Sequence, residues 1–151
     1  MPNNIIEIPA GEPGIYSSPD VIKAETKPAV LEKPVFEDAR GRIERHEMNG
    51  VKVNLLSTKK GFMRSGDLHK NRQFDILLSG KVELWTYQNG QTIKRVIGPN
   101  TYIVINPHVP HLFNFLEDTV MMEWWDGPFE AWFYKPYRDI IDAQFKKMTS
   151  Q

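Results

Sequence analysis

From about residue 42 onward, apolar and polar positions alternate in short runs. Val51, Val53 and Leu55 alternate with Lys52 and Asn54, the period-two pattern of a strand with one buried face. Residues 74–78 form an apolar run that ends at Ser79-Gly80, a turn signal. Residues 81–87 alternate again, and Asn89-Gly90 behind them is the strongest short-range hairpin signal. Residues 92–97 read as the return strand. Gly98-Pro99-Asn100 then turns the chain into a strand at 101–105, which Asn106-Pro107 breaks. Strands at 111–116 and 119–125, joined at Glu117-Asp118, complete the set. Short strands at intervals of about ten residues, with turn chemistry between them, predict an all-β sandwich or barrel. A mostly antiparallel jelly roll fits best.

The two ends depart from this rhythm. Residues 1–35 carry Pro9, Gly11, Pro13, Gly14, Pro19, Pro28 and Pro34. Proline removes a backbone donor, so this stretch supplies no central strand. It reads as an extended N-terminal arm with at most one edge strand, lying across a partner subunit or held loosely. Residues 36–151 then form a single domain. Near its end, Ile140, Ile141, Gln144, Phe145 and Met148 fall at near-helical spacing and predict a short amphipathic helix over 137–148 on the barrel exterior.

Composition narrows the classes. The chain has 151 residues, 40% hydrophobic and 25% charged, enough for one domain with a sizeable core. Lysine plus arginine equals aspartate plus glutamate at 19 each, so the strong positive field of a nucleic-acid binder is missing. Zero net charge removes one brake on self-association, so composition does not oppose an oligomer. With no cysteine there is no disulfide, thiolate metal site or cysteine nucleophile, which fits a reducing compartment. No run is long enough to span a bilayer and no secretory signal is evident, so a cytoplasmic protein without a membrane partner is expected.

The candidate chemistry centres on two of four histidines. His69 lies in the segment from Gly66 to Gly80, with Asp67 before it and Gln73 after it. His111 follows Gly98, Pro107 and Pro110 and precedes Asn114. His108 reads as a turn residue, His46 as solvated surface and Lys59-Lys60 as a solvated turn. The dense aromatic set Trp124, Trp125, Phe129, Trp132, Phe133, Tyr134 and Tyr137 reads first as core and dimer packing.

These segments resemble the two sequence motifs of the cupin superfamily over about residues 60–116. The first motif is a His-x-His pair, an acidic residue and a glycine seven positions later. Counted back from Gly80, these positions are Asp67, His69 and Gln73. The second motif matches Gly98, Pro107, Pro110, His111 and Asn114. The resemblance implies a cupin-type jelly-roll barrel, a double-stranded β-helix, and together with the proline-rich arm it implies a homodimer. A metal cupin typically offers three histidines and a glutamate, so here Asp67, His69, Gln73 and His111 would hold iron, manganese or zinc.

A narrower likeness points elsewhere. Arg64-Ser65-Gly66-Asp67-Leu68-His69-Lys70, with Gln73, is similar to the Arg-Gly-x-His-Ala-His-Lys-x-x-Gln segment of the sugar 3,4-ketoisomerases, which are metal-independent. Phe36-Glu37-Asp38-Ala39-Arg40-Gly41 resembles an opening shared with the dTDP-4-keto sugar 3,5-epimerases, and Tyr137-Arg138-Asp139-Ile140 resembles the ketoisomerase ending. This likeness implies an isomerase or epimerase of nucleotide-activated keto sugars without a cofactor. Imidazole suits removal of a proton beside a carbonyl. His69 would be the base and Asp67 would orient it or act as a second acid/base group. Arg64 and Lys70 would steady an enolate or bind diphosphate, while Gln73 and His111 would bind sugar hydroxyls. The leading expectation is this acid/base enzyme. The alternatives are a metal-dependent cupin and a small-molecule-binding cupin without turnover.

Overall fold

The computed structural model describes residues 4–25 and 33–150. Along them run β1 (Asn4–Ile8), a 3-10 turn (Pro13–Ser17), β2 (Val21–Lys23), β3 (Val35–Asp38), β4 (Gly41–Met48) and β5 (Val51–Thr58). These are followed by β6 (Met63–Leu68), β7 (Gln73–Ser79), β8 (Val82–Gln88), β9 (Gln91–Ile97) and β10 (Thr101–Ile105). Then come β11 (His111–Phe115), β12 (Thr119–Trp125), β13 (Trp132–Tyr134) and a closing helix, α1 (Lys135–Thr149). One sheet has the order β1-β10-β7-β12-β5-β4-β3 and the other β2-β13-β6-β11-β8-β9. Among the described residues every pairing is antiparallel except β1 with β10, which is parallel.

The alternation read from the sequence sorts side chains between the two faces. Leu56, Leu77 and Met121 of the first sheet and Val82, Leu84, Phe113 and Phe115 of the second form one buried cluster, so the sheets close face to face into a jelly-roll barrel. Burial of each large apolar side chain contributes about 1.5–3 kcal/mol. Leu68 and Leu112 face the other way, into a second cluster with Val21, Tyr134, Tyr137 and Ile141 on the barrel's outside. The helix sits there, two residues longer at its start than expected, because Pro136 fits the first helical turn. Asn89 (φ 51°) and Gly90 (φ 80°) make the tight β8–β9 turn with the left-handed backbone a hairpin of this type needs.

The arm differs from expectation. Its described part supplies two edge strands, one on each sheet: β1 beside β10 and β2 beside β13. Each is a proline-free run beside a proline, Pro9 after β1 and Pro19 before β2, so the prolines bound the pairing without interrupting it. The rest of the expected arm includes residues 1–3 and 26–32, which lie outside the described residues. Strands β3, β6 and β13 were not legible in the alternation. No helix among the described residues is long and apolar enough to cross a membrane.

Candidate metal centre

Strand β6 carries the first part of the site. Asp67 pairs with His111 and Arg64 with Phe113, but Leu112 pairs with Ser65, so one extra residue bulges from β6. In a regular strand, residues three apart face opposite ways. The bulge at Ser65 (φ 81°) and Gly66 (φ 71°) resets the alternation. Arg64 and Asp67 thereby both point into the barrel, while Leu68 packs outside against the helix. A Cβ on Gly66 would lie 2.8 Å from Ile141 Cδ1 and 2.9 Å from Arg138 Cδ, so α1 rests directly on the bulge. His69 follows at the strand's end and Gln73 opens β7, while His111 opens β11.

The side chains converge. Asp67 Oδ1 lies 3.2 Å from His111 Nε2 and 3.7 Å from His69 Nε2, and the ligand atoms of all three lie within 4.8 Å of one another. His69 Nδ1 is 2.8 Å from the carbonyl oxygen of Glu130, and His111 Nδ1 is 3.0 Å from that of Val109. A carbonyl only accepts, so each Nδ1 carries the hydrogen and each neutral ring turns its Nε2 lone pair inward. Apart from the close approach of Asp67 Oδ1 to His111 Nε2, both Nε2 atoms, Asp67 Oδ1 and Gln73 Oε1 are buried without a hydrogen-bond partner among the described residues. Lone pairs facing a carboxylate repel unless a cation lies between them. A divalent ion fits this donor set of two imidazoles, a carboxylate and an amide oxygen.

Without an ion, protons take its place. Burial raises the Asp67 carboxyl, but His69 and His111 outweigh it and hold the group below its ordinary range. Burial lowers His111, and the Asp67 carboxylate more than reverses this, so the His111 pKa is raised. Burial dominates at His69 and lowers it, against the pull of Asp67. In the metal-free state these shifts favour charge on His111, the histidine nearer Asp67, over charge on His69.

A second polar layer lies beneath. Gln73 Nε2 donates to Asp75 Oδ2 at 3.0 Å and is 3.4 Å from Glu123 Oε1, which orients the amide oxygen away from both carboxyls. Asn54 Nδ2 lies 3.5 Å from Glu123 Oε2. Burial, together with the nearby Asp67 carboxylate, pushes Glu123 up to about 7. Burial and Glu123 raise Asp75 well above its usual range. The folded state thus keeps the Glu123 proton to higher pH than the unfolded chain. Its contribution to stability is complete below about pH 4.5 and is lost as the pH rises through about 7. In the metal-free protein, wild type is expected to lose roughly 1–3 kcal/mol relative to Glu123→Gln across this interval. Urea unfolding of both proteins at a series of pH values measures it, and parallel profiles would refute the assignment.

The other site residues expected from sequence separate into two places. Arg64 is interior but lies one layer deeper, its Nε bonded to Thr58 Oγ1 at 2.8 Å, and burial lowers its pKa to about 10. Lys70 is exposed, its ammonium over the rings of Tyr16 (5.0 Å) and Trp132 (4.8 Å), and it does not join the cluster. The aromatic set also divides. Tyr134 and Tyr137 pack in the outer cluster, but Trp125 and Phe129 lie edge-on or tilted against His69, with ring centroids 5.4 and 5.6 Å away, and cover the barrel mouth. Trp125 pairs with Gln73 across β7 and β12, and its indole nitrogen is buried without a partner. Sequence reasoning missed Trp125, Asp75, Glu123 and Asn54. Asp75 could have been found as the next inward position after Gln73, since side chains two apart share a face.

The two facing sheets recur in solved structures. A capsular polysaccharide assembling protein from Staphylococcus aureus, CapF, superposes with a TM-score of 0.59 at 18% identity, covering 72% of this chain and 35% of CapF. The chain has the cupin fold. Oxalate decarboxylase from Bacillus subtilis superposes on this chain with a TM-score of 0.60 at 16% identity, covering 80% of this chain and 37% of the enzyme. The enzyme from Lactobacillus farciminis does so with 0.58 at 12% identity, covering 70% and 34%. This chain therefore spans about a third of the length of each. No family model and no curated protein sequence matches it.

Proposed function

We propose that this cupin is a metal-dependent enzyme in which Asp67, His69 and His111 hold a divalent ion, with Gln73 Oε1 as a fourth donor. The observation that carries this reading is the set of four buried, unpartnered donor atoms, with both Nδ1 atoms committed to backbone carbonyls. Iron, manganese and zinc suit nitrogen and oxygen donors without thiolate. An ion bound there would act as a Lewis acid on a substrate oxygen. The protein's own part is orientation and shelter. Val109 and Glu130 fix the imidazoles, and Trp125 and Phe129 keep water from the mouth. The free indole N–H of Trp125 is left for an acceptor on the substrate.

The test is elemental analysis of protein purified without added metal and then titrated with iron, manganese and zinc. About one equivalent, removed by chelator together with activity, is expected under this reading. Metal-free protein that takes up none would overturn it.

Acid/base isomerisation of a nucleotide-linked keto sugar is the second reading. It draws on the neutral state of His69, which suits a base, and on the three segments shared with sugar ketoisomerases. It requires indifference to chelator and a rise in melting temperature with thymidine or uridine diphosphate.

A further inference from the structure

Two backbone contacts fix His69, and each leads to the N-terminal arm. The ring Nδ1 is held by the carbonyl of Glu130. The next residue, Ala131, accepts from the Ala24 amide at 3.0 Å. Strand β2 pairs with β13 through Lys23 and Trp132, and the Lys23 ammonium reaches Glu130 Oε2 at 2.5 Å. The segment carrying the Glu130 carbonyl is thus bounded on one side by the arm. The second contact is the His69 carbonyl, which accepts from the His108 amide at 2.9 Å. His108 holds a left-handed backbone (φ 74°), and its Nδ1 is hydrogen-bonded to the Tyr16 hydroxyl at 2.9 Å. Tyr16 also packs edge-on against Trp132, with centroids 4.9 Å apart. Strand β13 itself pairs with β6 at Phe133 and Asp67.

We infer that Tyr16 and the β2 segment through Ala24 are positioning residues for the metal centre, acting through Glu130 and His108 to hold the His69 ring with Nε2 toward Asp67. Among the described residues, nothing in the arm touches the donor atoms. Its role is to hold the carbonyl and the amide that leave His69 one orientation and one tautomer. A ligand held by a fixed hydrogen bond to its second nitrogen binds metal more tightly than one free to turn. The arm is then part of the site, although its proline-rich sequence carries no ligand.

The direct readout is the ¹⁵N signature of the His69 ring in full-length, metal-free protein. Wild type is expected to show one tautomer, protonated at Nδ1. Tyr16→Phe removes the bond to His108, and Ala24→Pro removes the amide that holds Ala131. Each is expected to give a mixture of tautomers while circular dichroism stays unchanged. Zinc affinity is expected to fall about tenfold or more, the usual cost of losing a group that orients a ligand. Ile5→Ala, on the exposed face of β1 at the other sheet's edge, is the control and is expected to change neither readout.

An unaltered single tautomer in both arm variants would overturn the inference. If Ala24→Pro does not fold, Tyr16→Phe alone decides. The affinity measurement rests on the metal reading above, but the nitrogen signature does not. A protein that binds no metal and still shows tautomer mixing in the variants would sink that reading and keep this one.

Discussion

Alanine at His111 is expected to abolish metal binding and weaken the fold together. The side chain is only 1% exposed, and it sits between the Val109 carbonyl and Asp67. Removing it deletes one of two imidazole ligands and leaves Asp67 with His69 at 3.7 Å. Loss of a group that merely orients a ligand lowers affinity about 10–100-fold, so loss of a ligand should exceed about 100-fold. The metal-free protein also loses a buried ion pair on one side only. One-sided removal typically costs about 3–5 kcal/mol, and the Asp67 side chain, still 17% exposed, places this case near or below the lower end. Isothermal titration with zinc and denaturant unfolding measure the two effects. His69→Ala should match the loss of affinity but cost less stability, because His69 is neutral and lies farther from Asp67. A His111→Ala protein that still holds one equivalent of metal would exclude His111 as a ligand.

Gly66→Ala is expected to damage the site from outside the barrel. The position has φ 71°, where a side chain costs about 1–2 kcal/mol. The added methyl would also sit 2.8 Å from Ile141 Cδ1 and 3.3 Å from the Arg138 amide nitrogen, so the Ile141 tip must swing aside and the backbone of α1 must give slightly. Overpacking of this kind adds about 1–3 kcal/mol. The expected total is about 2–5 kcal/mol. Relief by straightening the bulge would turn Asp67 out of the interior, so metal affinity should fall as well. Differential scanning calorimetry and a zinc titration together check this. A normal melting temperature with normal affinity would mean that the bulge does not set the direction of Asp67.

The same bulge shows why sequence reading reached some elements and not others. Strands β5 and β7 through β12 announce themselves because one face of each is apolar and the turns between them use residues with special backbone freedom, as Asn89-Gly90 does. Strand β6 reads Met63-Arg64-Ser65-Gly66-Asp67-Leu68, in which the inward side chains are charged and the alternation breaks at the bulge. No count of apolar positions recovers it. The motif spacing nonetheless brought Asp67, His69, Gln73 and His111 to one layer of the barrel mouth. Adjacency in a motif does not determine facing, and Lys70 stays outside the donor cluster. It directly follows the inward His69 and lies over the rings of Tyr16 in the arm and Trp132 in β13. Asp75 and Glu123 were invisible as functional groups because a carboxylate on a half-buried strand normally marks the solvent face. Here both occupy inward positions paired across β7 and β12. Their presence also gives a reason for Gln73 where a metal cupin typically has glutamate. A third carboxylate in that layer would face two others.

The donors come from both sides of the β8–β9 turn: Asp67, His69 and Gln73 precede it, while His111 and the supporting Glu123 follow it. Asn89-Gly90 is therefore the natural place to cut the chain into two pieces. Neither piece carries a complete coordination set, so an ion added to the mixture would reward only the reassembled barrel. Metal affinity and fragment complementation then become two readings of one equilibrium, with the ion acting as a latch between halves of the polypeptide.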